Sequence, residues 1–124
     1  MDPAVDSRPL PSEVVLEVLR SRIALKRPPS LESARIVVGI VGDDGLTEWT
    51  TLRVERDAVT IEPRAPSLLD KAPRVVIVGR EHELSEITRG RAAPVEISGD
   101  KKTIALVARC FSTTTDLLSL RAQR

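Results

Sequence analysis

The residues that could carry chemistry are few. His82-Glu83-Leu84-Ser85-Glu86 has the outline of a metalloprotease helix, but Glu86 stands where the second histidine would be. A zinc site needs at least three well-placed ligands, and His82 is the sole histidine of the chain. A solvated helix face is the plainer reading. Cys110 would become a nucleophile only beside a base that ionises it. Its neighbours Ala108, Arg109 and Phe111 read as a buried helix, which makes it structural. Asp43-Asp44 offers calcium-type ligands, yet an acidic pair flanked by Gly42 and Gly45 is the composition of a turn. Ser98-Gly99-Asp100-Lys101-Lys102 has one glycine, too few for a loop that cradles phosphate, and Asp100 reads as a helix cap. Arg20, Arg22, Lys26 and Arg27 form a basic surface, either a solvated face or a contact for anionic lipid headgroups. No acid, base and nucleophile converge, which argues against an enzyme. No cofactor or metal set is legible.

These residues must be positioned by one small domain. The 124 residues suit a single core. Nineteen basic and eighteen acidic residues leave a net charge of +1, which gives no case for nucleic acid or a strongly anionic substrate. The longest apolar runs, such as 36–41, are too short to span a bilayer. The N-terminus lacks the regions of a signal peptide, and one cysteine fits a reducing compartment, so a cytoplasmic protein is expected. One Trp, one Phe and no Tyr mean a core of Val, Ile, Leu and Ala, with few of the bulky side chains that fill interiors.

Residues 1–11, with three prolines among charges, read as a mobile arm, and 12–124 as one domain. Ser12 can cap a helix running to Lys26, where Val15, Leu19 and Ile23 recur at helical spacing. Residues 34–41 then read as a buried central strand, 47–55 and 58–62 complete a meander, and 63–73 is a proline-rich loop. Residues 74–78 form a fourth strand, 81–89 a short helix ended by Gly90, and 94–98 a fifth strand. Helices are expected at 101–112 and 113–124. Because strands four and five are joined through a helix, a parallel pair is expected. The fold class is α+β, a mixed five-stranded sheet with helices packed on one face.

Asp44-Gly45-Leu46-Thr47-Glu48-Trp49-Thr50, residues 73–79 followed by Glu83 to Arg91, Val95-Glu96-Ile97-Ser98-Gly99-Asp100, and Lys101 to Phe111 occur in an order that resembles the sterol carrier protein family. The resemblance covers 12–111. It implies a cavity for sterols, acyl chains or other hydrophobic molecules between sheet and helices. The chain is a shortened variant: Arg91-Ala92-Ala93-Pro94 runs straight into Val95, where many relatives carry a further helical turn that walls the lipid tunnel. A shallower, more open groove is the expectation.

The expected function is non-catalytic binding or carrying of a lipid-like, sterol-like or isoprenoid-like molecule. Its walls would come from Leu16, Leu19 and Ile23 on the first helix, from Trp49, Leu52, Val54 and Ile61 on the sheet, and from Phe111, Leu117, Leu118 and Leu120 at the end of the chain. The three terminal leucines exceed what a short surface helix needs, so they close a groove or form a homodimer contact. The alternative is an accessory or interaction subunit of a biosynthetic pathway that uses the same apolar surface for a protein partner. A small biosynthetic enzyme ranks below both. Membrane contact would be peripheral at most.

Overall fold

Aliphatic side chains dictate the architecture. In the computed structural model, which describes residues 11–26, 33–91 and 93–110, the order of elements is α1 (Ser12–Lys26), β1 (Ser33–Val41), β2 (Thr47–Glu55), β3 (Val59–Glu62), β4 (Arg74–Arg80), α2 (Glu81–Thr88), β5 (Glu96–Gly99) and α3 (Lys101–Cys110). The five strands form one sheet in the order β3-β2-β1-β4-β5. β1, β2 and β3 are an antiparallel meander, and β4 lies parallel to β1 on its other side. The fold is α+β. The expected mobile arm, apart from Pro11, and the expected last helix lie outside the described residues.

Side chains alternate across a strand, so each strand sends every second residue to the same face. Ala34, Ile36 and Val38 on β1 share a face with Leu52 and Val54 on β2, Val59 on β3, Val75 and Ile77 on β4, and Ile97 on β5. All are buried in one cluster with Val15, Leu19 and Ile23 of α1, Leu84 and Ile87 of α2, and Leu106 and Val107 of α3. The three described helices therefore cover one face of the sheet. Helix α1 is central: it touches β2, β3, α2 and α3.

The opposite face is crossed by residues 63–73, which carry the chain from the β3 edge past β2 and β1 to β4. This crossing covers the polar side chains of Thr51 and Arg35, which are buried although none of the described helices overlies them. Thr51 Oγ1 donates to the carbonyl of Arg64 at 2.7 Å, and Arg35 Nε donates to Asp70 Oδ2 at 2.6 Å. Further along this face Trp49 lies over Gly39, its register partner. A Cβ at Gly39 would stand 2.7 Å from Trp49 Cζ3, so the ring occupies the space the glycine leaves.

The pairing of β4 with β5 departs from the sequence expectation. The two strands are antiparallel, with Ile77 opposite Ile97 and Val78 opposite Glu96. The reason is length. A parallel crossover must return the chain along the whole of β4, whose 7 residues span about 23 Å. Helix α2 has 8 residues and spans only about 12 Å. The chain stays near the end of β4 that it left, turns at Gly90, and runs back beside the strand. At the other end of β5, Gly99 has φ of 128°, and a Cβ there would collide with the carbonyl of Arg74. Asp100 then caps α3: its Oδ2 accepts from the backbone N–H and the hydroxyl of Thr103, both at 2.9 Å.

The packing and the caps make separate predictions. Leu19→Ala should cost about 2–5 kcal/mol in a denaturant melt, because Leu19 is 3% exposed in the cluster. Leu25→Ala, on the same helix but 81% exposed, should leave the midpoint almost unchanged. Acid should also weaken the fold. The Ala72 amide and Arg35 hold the Asp70 carboxyl below its ordinary range, and the Thr103 amide and hydroxyl do the same for Asp100. A carboxylate whose pKa is lower in the folded state adds stability above its unfolded pKa and loses it as the pH falls through the folded value. Stability should therefore decline below about pH 4, and Asp70→Asn and Asp100→Asn should each flatten that decline in melts run across the acid range.

Candidate functional site

The parallel placement of β1 and β4 brings their C-terminal ends together, with Val41 opposite Arg80. Three further pieces of chain converge there. Beyond β1 the hairpin turn 42–46 closes on itself: the Gly42 amide donates to Leu46 at 2.8 Å, and Asp44 Oδ1 accepts from the Leu46 amide at 2.9 Å. Beyond β4, helix α2 begins at once, with Glu83 Oε1 accepting from the Arg80 amide at 2.8 Å. Between them comes the start of α1, where the first turns of a helix leave amides without partners. Glu81 Oε2 reaches it from α2, accepting from the Ser12 amide at 2.9 Å and the Ser12 hydroxyl at 2.6 Å. One carboxylate thus ties the two helix starts together.

These pieces enclose a groove of about 810 Å³. Ser12, Ile40, Leu46, Thr47 and Glu81 are among the residues that line it. Ile40 is half-buried and also packs against the hydrophobic core, so this apolar part of the groove lining is backed by the aliphatic interior. Leu46 is 72% exposed at the rim. The rim carries the carboxylates of Asp43, Asp44, Glu48 and Glu81 against one arginine, Arg80, with His82 beside it. Arg80 Nη1 lies 3.8 Å from Asp43 Oδ1, both well exposed. The field at the opening is negative on balance.

No family model, curated protein or solved structure matches this chain.

The residues expected as ligand walls divide into three groups. Leu16, Leu19 and Ile23 face Leu52 and Val54 across the interior, and all five are buried in one cluster. Ile61 shares their side of the sheet, opposite Leu52 on the edge strand, and is 36% exposed. Trp49 lies on the other side of the sheet, over Gly39. Phe111, Leu117, Leu118 and Leu120 lie outside the described residues. Asp43, Asp44 and His82, singled out in the sequence as metal-type residues, meet at the groove rim, but no group of three metal-ligating side chains is assembled among the described residues. The basic surface of α1 is partly neutralised, since Arg20 Nε donates to Glu17 Oε2 at 2.9 Å. No helix among the described residues is long and apolar enough to cross a membrane.

Sequence reasoning missed Ser12, Ile40, Leu46 and Glu81 as groove residues. Each has a local reading that hides its position: a cap, a strand end, a turn and a helix start. What joins them is the β1–β4 adjacency, which spans more than thirty residues of chain.

The Glu81 tie is testable. Glu81→Ala leaves the Ser12 amide without its partner at the start of α1, and should cost about 0.5–2 kcal/mol in a thermal or denaturant melt. Glu81→Gln, which retains an acceptor oxygen, should recover part of that loss.

Proposed function

We propose that this domain is a non-catalytic binder of a neutral hydrophobic small molecule, of the sterol carrier type. The supporting observation is Ile40, which belongs to the groove and to the core packing at once. An apolar chain entering the groove would extend the aliphatic interior between α1 and the sheet, beside Leu16 and Leu52. Affinity would come from surface removed from water, at roughly 25 cal/mol for each Å². The reading rests also on the resemblance drawn from the sequence, whose shortened variant would leave an open groove.

The rim selects the ligand's polar end. Four carboxylates against one arginine repel a fatty acid anion or a prenyl phosphate. A hydroxyl meets no such repulsion, and it can donate a hydrogen bond to a carboxylate. Sterols and prenyl alcohols fit this chemistry.

Titration of delipidated protein with an environment-sensitive apolar dye, followed by displacement, tests the reading. Geranylgeraniol should displace the dye at a concentration roughly tenfold lower than the carboxylic acid of the same chain does at neutral pH, because like charges at a binding site oppose association. Ile40→Asn should weaken both dye and alcohol. Displacement by neither compound, or equal displacement with no effect of Ile40→Asn, would overturn the proposal.

A further inference from the structure

The crossing segment 63–73 has a feature that neither the core nor the groove uses. Leu68 and Leu69 are adjacent, and they are 95% and 84% exposed. They are held out by a loop that is fixed on both flanks. Before them, Arg64 is bound through its carbonyl by Thr51. After them, Asp70 is bound to Arg35, and its own carbonyl accepts from Arg74 Nη2 at 2.7 Å. We propose that this loop is a membrane-docking tip, inserting Leu68 and Leu69 into the interfacial region of an anionic lipid surface.

Three observations favour a bilayer over other occupants. The first is charge. Among the described residues Arg64 and Lys71, the exposed cations flanking the leucines, make no ion pair, whereas the one acid of the loop, Asp70, is engaged by Arg35. An apolar tip between two cations matches hydrocarbon lying beneath anionic headgroups. The second is the backbone. A segment entering a poorly hydrated layer must satisfy its own amides. Pro63, Pro66 and Pro73 have none to satisfy. The amides of Leu69, Asp70 and Ala72 are bonded within the segment, to Ser67 Oγ, the Ser67 carbonyl and Asp70 Oδ1, and the amide of Arg64 is bonded to the Glu62 carbonyl at the end of β3. The third is area. Two side chains on a narrow loop offer far less than the roughly 800 Å² per partner of a stable protein interface, but they suffice for shallow insertion, and the fixed loop loses little entropy on docking.

The loop lies on the sheet face opposite the helices, so docking does not depend on the groove binding a ligand. Co-sedimentation with vesicles tests it directly. The intact protein should bind vesicles of phosphatidylcholine mixed with phosphatidylserine more strongly than vesicles of phosphatidylcholine alone. Leu68→Ser with Leu69→Ser should reduce that binding by roughly tenfold or more, since each leucine loses its apolar transfer. Arg64→Gln with Lys71→Gln should abolish the preference for phosphatidylserine. Both pairs lie at exposed positions, and an unchanged circular dichroism melt and unchanged dye binding confirm an intact fold and groove. Absence of vesicle binding by the intact protein, or binding untouched by the leucine pair, would overturn the proposal. So would a dimer in light scattering that the leucine pair dissociates, because the tip would then be a contact between copies of this chain.

Discussion

Arg35 is a charge that the fold has taken out of water, and the rest of the structure is arranged around keeping it paired. Its side chain is 6% exposed. It lies on a central strand, on the face that carries no described helix. Nε meets Asp70 at 2.6 Å, Nη1 meets Glu55 at 3.0 Å, and Nη1 also donates to the Ala34 carbonyl at 3.0 Å. A buried guanidinium left without its carboxylate typically costs about 3–5 kcal/mol. Asp70 can reach it only if residues 63–73 cross the sheet at this height. The Thr51 hydroxyl, fully buried on the neighbouring strand, fixes the same crossing at Arg64. The path of the crossover is held by these polar contacts, Arg35 with Asp70 and Thr51 with Arg64.

That path has two consequences at opposite sides of the sheet. It delivers the chain to β4 in the same direction as β1, which is the sheet's one parallel pair. The ends of those two strands then lie side by side, and the groove is the space between the turn after β1 and helix α2 after β4. On the other face the crossover pushes two leucines into solvent, since both anchor points are taken by Arg64 and Asp70. Groove and leucine tip are thus products of one connection, although they lie apart.

Much of this was legible in the sequence. The alternation of Leu52 and Val54 against Trp49, Thr51 and Arg53 assigned the faces of β2 correctly, because period-two patterning is a local property. The Asp100 cap and the Gly90 stop are readable for the same reason, as is the start of α1 to within a residue, although Ser12 opens the helix and its hydroxyl donates to Glu81 instead of capping it. The direction of β5 was not, because it depended on whether an eight-residue helix is long enough to return the chain along β4. The leucines of the crossover read simply as part of a proline-rich loop, since their exposure depends on where Arg35 and Thr51 hold its ends. The groove was hidden most deeply. Its residues look like caps and turns one by one, and only the parallel pairing brings Ile40, Leu46 and Glu81 together.

A neutral hydrophobic molecule bound as proposed would enter at the end of the β1–β4 pair and lie against Ile40. Amide hydrogen exchange, read by mass spectrometry with and without saturating geranylgeraniol, tests this placement most directly, because protection reports which backbone segments are held closed. New protection is expected in residues 40–48 and 80–84 and at the start of α1, with the crossover 63–73 unchanged. Protection confined to the crossover, or none at saturation, would contradict it.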